Sequence, residues 1–293
     1  MSGTTIYSAG PLQKFNAIQS GIQGNTENAN FKIEFFSDQI VNIRFTRESD
    51  FESLSYAILK NPENIQATIN ESDDQLLLAG KFFDVLISKT DTAIQFVNKS
   101  GAVINADEKG LGTQWNGEQV ATYKKLQPSE KFIGLGEKTG PLNRRGLGYQ
   151  HWNLDAFAYG TGSDPIYSSI PFYMGVHSGL VYGIFFDNPA KTFFNFGASN
   201  NRFSSFYADN GEMNYYFIYG ETVAEVIQAY TWLTGTIQLP PLWSLGFQQC
   251  RYSYYPDTEV LNLAKNFREK KIPADAIVLD IHYMDCLLYT SPS

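Results

Sequence analysis

The chain has 293 residues, 43% of them hydrophobic, enough for one or two packed domains. Its formal net charge is −8 and its basic residues occur at most in adjacent pairs, such as Lys124-Lys125, Arg144-Arg145 and Lys270-Lys271, which argues against nucleic-acid binding. No apolar stretch is long enough to span a membrane, no basic-then-apolar start marks a secretory signal, and the two cysteines, Cys250 and Cys286, make neither a disulfide framework nor a zinc site, so a cytoplasmic location is expected.

Residues 30–105 alternate as half-buried strands do. Phe31, Ile33 and Phe35 share one face while Lys32 and Glu34 take the other, and Ile43 and Phe45 bracket Arg44. Short apolar runs follow at 76–78, 82–87 and 94–97, punctuated by Asn, Asp, Ser and Gly. That spacing predicts a mainly β domain, a sandwich. The aromatic content of 15% fits, because rings suit a pleated surface. Flat rings also face the C–H side of a sugar, although core packing is the simpler reading of any single one.

Strand character returns between residues 131 and 220, interrupted by a long loop rich in Gly, Asn and Tyr. Segments 180–187, 192–196 and 213–219 read as strands. A long loop in a compact domain usually has work beyond connection. Next, Thr222 and Glu225 have the spacing of a reciprocal capping box, and Val223, Val226, Ile227, Tyr230 and Leu233 form an apolar stripe, with Gly235 as the stop. Pro240-Pro241 then marks a boundary, giving residues 1–239 as the sandwich with its closing helix.

Beyond it, residues 244–249 read as a strand. Asp257 is the expected N-cap of a helix with Val260, Leu263, Ala264 and Phe267 on one face, and Pro273 prevents its continuation. The continuously apolar run 276–279 fits a parallel strand covered on both faces. Residues 240–285 are therefore read as the first βαβ unit of a parallel barrel, most of which is missing, because a whole (β/α)8 TIM barrel takes about 250 residues.

Asp280 stands where that strand ends, the place from which parallel barrels present their chemistry. Position alone leaves two readings open: a carboxylate for substrate hydroxyls, or an ion pair with an arginine of the missing barrel. His282 is expected to turn away from Asp280. Asp155 lies in H-W-N-L-D-A-F-A-Y-G, where Trp152 offers a ring and Asp155 a carboxylate, although loop aspartates commonly just make turns. The run Gly134-Leu135-Gly136-Glu137 lacks the third glycine and the following helix of a nucleotide loop, so a turn with close backbone packing is expected.

Taken in order, five motifs resemble glycoside hydrolase family 31, the α-glucosidase and α-xylosidase family. They are F-I-G-L-G-E at 132–137, W-N-L-D at 152–155, D-P-I-Y-S-S-I-P-F-Y-M at 164–174, P-L-W-S-L-G-F-Q-Q-C-R-Y at 241–252 and L-D-I-H-Y-M-D at 279–285. The resemblance implies a galactose-mutarotase-like β-sandwich followed by a TIM barrel, and a retaining α-glycosidase acting on α-linked oligosaccharides, with no metal or organic cofactor. It implies that Asp280 and its apolar neighbour Ile281 grip the non-reducing sugar. It further implies that Asp155, with Trp152 and Tyr159 at the rim, reaches over the barrel mouth. The nucleophile and the acid/base belong to later barrel strands. α-Xylosidase and transglucosidase activities, and a non-catalytic carbohydrate-binding or scaffold sandwich, stay open. After Asp285 the family pattern ends, and residues 286–293, C-L-L-Y-T-S-P-S, read as a translation of a transposase adapter used in sequencing libraries. That octamer is expected to be non-native, and the chain as written to be inactive.

Overall fold

The computed structural model describes residues 5–284. Asp285 and the octamer 286–293 lie outside the described residues. The chain divides into two compact units between Gly235 and Thr236.

The first unit is antiparallel throughout. Its largest sheet runs, edge to edge, through Lys131–Gly134, Phe172–His177, Leu180–Phe186, Met213–Gly220, Ile40–Thr46, Asn30–Ser37, Gly21–Thr26 and Leu12–Ile18. A six-stranded sheet holds Ile6–Ser8, Thr113–Asn116, Gln119–Lys125, Phe203–Ala208, Thr192–Asn195 and Gly148–His151. A five-stranded one holds Val103–Ala106, Ile94–Asn98, Phe83–Ser88, Gln75–Ala79 and Thr68–Glu71. The strands expected at 30–105 and 180–219 are all present. Period-two alternation turns Phe31, Ile33 and Phe35 inward, while the outward Lys32 and Glu34 pair at 2.6 Å.

All three sheets share one core. Phe217 is fully buried in it, stacked on Phe96 with ring centroids 3.7 Å apart and on Tyr182 at 5.8 Å. Each large side chain so buried contributes roughly 1.5–3 kcal/mol of transfer free energy. A bridge between Asp107 and Lys124 joins the five- and six-stranded sheets. The buried Lys124 ammonium lies 2.5 Å from Asp107 Oδ1 and donates to Tyr215 OH at 2.8 Å, and Asp107 Oδ2 accepts from Ile94 N at 2.8 Å. The charge is thus satisfied where the sheets meet.

Helix α1 (Val223–Thr234) closes the outer face of the eight-stranded sheet, forming a second apolar cluster with Phe172, Val181, Phe185, Tyr216 and Ile218. Thr222 Oγ1 accepts from Glu225 N at 3.2 Å, as the capping spacing predicts. The return bond differs: the Glu225 carboxylate accepts from Glu221 N at 2.8 Å, one residue earlier than a capping box places it. The buried stripe also differs. Val226, Ala229 and Leu233 face the sheet while Val223 and Ile227 are exposed, because packing on the sheet beneath sets the rotational phase of the helix.

The second unit is a single βαβ turn among the described residues. Gln248–Cys250 pairs in parallel with Ala276–Val278, and helix α2 (Asp257–Glu269) connects them. Three expectations need correction here. The strand expected at 244–249 begins only at Gln248, because residues 242–245 form a 3-10 turn in which Ser244 Oγ and Ser244 N both bond back to Pro241 O. Pro256, not Asp257, occupies the N-cap. Asp257 is the first helical residue, where its charge suits the helix dipole, and its Oδ1 accepts from Thr258 N at 2.7 Å. Val278 is exposed rather than covered on both faces, since its strand has one ladder neighbour among the described residues. No helix of the described residues is long and apolar enough to cross a membrane.

Candidate functional site

The loop 152–171 leaves the edge strand Gly148–His151 and returns into Phe172–His177. It is built rather than slack. Leu154 N donates to Ile166 O at 3.2 Å, Tyr167 OH to Ala156 O at 2.9 Å, and Ser169 Oγ to Asn153 Oδ1 at 2.7 Å. Tyr159 and Tyr167 meet edge to face at 5.8 Å, and Ile166 is buried. A side chain at Gly134 would meet Phe172 O at 2.8 Å and one at Gly136 would meet Ile170 at 2.7 Å, both at positive φ. The G-L-G run is therefore the expected turn in close backbone contact with the loop's return, and only glycine fits.

This frame displays an apolar crest. Trp152 is 51% exposed and Phe157 93%, with Leu154, Tyr159 and Tyr167 also open to solvent. Asp155 stands among them, exposed, and among the described residues its carboxylate accepts no hydrogen bond. A carboxylate and an indole displayed on one loop suit a ligand with paired hydroxyls on one edge and C–H groups on its face.

A cleft of about 540 Å³ opens beside Trp152, lined by Tyr56, His151, Asn153, Ser169 and Asn188 among others. His151 itself is buried, and among the described residues neither ring nitrogen has a hydrogen-bond partner. Burial, with the nearby Lys138 charge, lowers its pKa to about 3, so the ring is neutral.

Asp280 and Ile281 belong to the second unit. Asp280 follows the strand Ala276–Val278 by two residues with φ of 63°, in the left-handed region that aspartate tolerates better than most. Its Oδ1 accepts from Ile281 N at 2.8 Å, and both residues are exposed. His282 turns to the other strand's loop: its Nδ1 lies 2.5 Å from Ser253 Oγ, and its ring stacks on Tyr252 at 5.7 Å. Both loops leave the carboxyl ends of the parallel strands. The structure thus brings Trp152 and Asp155 together on one loop, and Asp280 and Ile281 at one strand end. Among the described residues no group of three or more His, Cys, Asp or Glu side chains is placed to hold a metal ion.

Sequence reasoning missed the residues that hold the loop in place. Lys138 and Asp164 pair at 2.6 Å across 26 positions. Arg144 donates to Thr139 O at 2.7 Å, Lys138 O at 3.0 Å and Tyr149 OH at 3.1 Å. The only local sign was a lysine directly after a glycine turn whose backbone packs closely.

Comparison with known proteins bears on the family and the fold. The family model described as the glycosyl hydrolase 31 N-terminal galactose mutarotase-like domain matches residues 30–195, and that of the glycosyl hydrolases family 31 TIM-barrel domain matches residues 237–291. The chain belongs to glycoside hydrolase family 31. It is 38% identical over 257 residues to α-glucosidase 2 of Bacillus thermoamyloliquefaciens, covering 87% of this chain and 32% of that protein. It is 33% identical over 224 residues to an α-xylosidase of Lactiplantibacillus pentosus, covering 74% and 28%. A family 31 dextranase of Flavobacterium johnsoniae, solved as a mutant with isomaltotriose, superposes with a TM-score of 0.86 at 33% identity, covering 92% of this chain and 34% of that one. The chain spans about a third of the length of these relatives.

Proposed function

We propose that this chain is the amino-terminal part of a retaining α-glycosidase that releases terminal α-linked glucose from oligosaccharides, and that Asp155 and Asp280, with Trp152 and Ile281, bind the sugar. The observation that supports it best is that one braced loop displays both the exposed Trp152 ring and an exposed Asp155 carboxylate that accepts no hydrogen bond among the described residues. The first-reported relative, an α-glucosidase at 38% identity, favours glucose over xylose. In this reading, an aspartate of a later barrel strand attacks the anomeric carbon. A second carboxylic acid about 5 Å away protonates the leaving oxygen and then activates water. The residues of this chain contribute orientation. Carboxylates that accept hydroxyl hydrogens in a site closed to water hold the ring for in-line attack, and an indole face excludes solvent from one side.

A graft tests the reading. Residues 5–284 replace the matching region of the Bacillus α-glucosidase, and hydrolysis of a nitrophenyl α-glucoside is measured. The graft turns over, whereas the chain by itself does not. Asp155→Ala and Asp280→Ala each lower kcat/KM by about 100-fold or more, the size expected for charge-assisted hydrogen bonds. Unchanged kinetics in both variants would remove the assigned roles. A graft faster on the α-xyloside than on the α-glucoside would shift the substrate to xylose.

A further inference from the structure

The strand Gly148–His151 is the edge of its sheet and, among the described residues, pairs only with Thr192–Asn195. Gln150 therefore has a backbone N–H and C=O directed away from the ladder, and an edge left bare invites mispairing. Two side chains take these groups. Gln150 N donates to Asp164 Oδ2 at 2.5 Å, and Gln150 O accepts from Lys138 Nζ at 2.5 Å. The Lys138 ammonium also lies 2.6 Å from Asp164 Oδ1, closing a ring of three partners. The Lys138 side chain is wholly shielded from solvent, and a buried ammonium persists only where its donors are met.

The ring joins three pieces of chain. Lys138 lies in the turn after Lys131–Gly134, and Arg144 holds that turn by its carbonyls. Gln150 lies just before the loop that carries Trp152 and Asp155, and Asp164 lies beyond Asp155 within it. Thr139 Oγ1 adds a second tie, donating to Ser163 O at 3.2 Å. The two ends of segment 151–163 are thus fastened to one point.

We propose that Lys138 is a positioning residue: through Asp164 and Gln150 it clamps the loop so that Trp152 and Asp155 are presented in one fixed arrangement. The functional part of this proposal rests on the reading of Trp152 and Asp155 as sugar ligands. The clamp itself does not. Without the ammonium, Asp164 loses its partner and the Gln150 carbonyl its donor, and the segment opens while the sheets behind it stay closed.

The test uses the whole 293-residue chain. Chymotrypsin cleavage after the exposed Phe157 and Tyr159 is followed by mass spectrometry, with cleavage after the exposed Tyr56, in a different loop, as internal reference. Lys138→Met accelerates cleavage after Phe157 about tenfold while the Tyr56 site is unchanged, as local opening requires. Lys138→Arg, which keeps charge and donors, stays within about twofold of the parent. Asp164→Asn, at a partly exposed position, reproduces the acceleration and serves where Lys138→Met does not fold. Unchanged cleavage after Phe157, or an equal rise at Tyr56, overturns the clamp, because the first shows no local opening and the second a general loss of fold. Failure of all three variants to fold overturns it too.

In the grafted enzyme, Lys138→Met raises KM for an α-linked oligosaccharide several-fold with kcat within about twofold. A fall in kcat at constant KM contradicts a positioning role. Accelerated cleavage in Lys138→Met together with a silent Asp155→Ala retains the clamp and discards the sugar assignment.

Discussion

The two units answer the same requirement, shelter for apolar strands, in opposite ways. In the first, every sheet finds its cover within residues 5–235: strands alternate, fold back as antiparallel neighbours, and bury rings such as Phe31, Phe96, Phe194 and Phe217 against one another. In the second, only Tyr254 and Ala274 among the described hydrophobic residues are buried, while Leu242, Trp243, Leu245, Phe247 and Val278 are open to solvent. The lesson concerns connectivity. An antiparallel meander completes its pairing with nearby chain, whereas a parallel strand needs a crossover and further strands on both sides before its apolar run is sheltered.

The largest expected effect tests that contrast directly. Phe217→Ala removes a ring packed on Phe83, Phe96 and Tyr182 and costs about 3–5 kcal/mol of first-unit stability. Phe267→Ala in α2 removes a half-buried ring that meets Phe247 at 6.0 Å and costs less than about 1 kcal/mol in the same urea melt. Equal losses would erase the distinction between the units.

An intermediate effect sharpens it through pH. His151 is neutral in the fold with a pKa of about 3, against an ordinary 6.5 when unfolded. Below pH 6.5 the unfolded chain takes up a proton that the folded one refuses, so stability falls with pH until about pH 3. At pH 5 the loss is about 2 kcal/mol. His151→Met removes this slope, and urea melts at pH 7, 6 and 5 measure it. A slope identical to the parent's would dismiss the buried imidazole as its source. The Glu130 carboxyl, raised by burial, works in the opposite sense, since it binds its proton more readily folded than unfolded. It therefore partly offsets the His151 loss at lower pH.

The smallest effect concerns the helix that seals the first unit. Thr222→Ala deletes the side-chain cap on Glu225 N and costs about 1 kcal/mol, read as a shift in the same melt. A cost near zero would mean that packing of Val226, Ala229 and Leu233 alone holds α1 in place.

How far the sequence was readable follows from the range of each interaction. Alternation from Phe31 to Phe35, the Thr222 cap and the tight Gly134–Gly136 turn depend on neighbours within a few positions, and the chain order of motifs identified both the sandwich and the first barrel turn. Local pattern also placed Asp155 and Trp152 on an exposed loop. It erred where the deciding partner was distant or of another kind. Ser244 bonding back to Pro241 made a 3-10 turn of the start of an expected strand, which begins only at Gln248. The phase of α1 was set by the sheet beneath it. Lys138 drew no reading of its own, because its partner, Asp164, lies 26 positions on and no short window holds both.

The central pairing of the eight-stranded sheet has a consequence for biogenesis. Ile40–Thr46 aligns with Met213–Gly220, and Asn42 Nδ2 donates to Asn214 Oδ1 at 2.8 Å across 172 positions. A ribosome adding about 5–20 residues per second delivers the second of these strands many seconds after the first. Throughout that interval the early meander waits with one flank unzipped. Assembly of this domain is therefore slow and late, and its most exposed moment comes during translation.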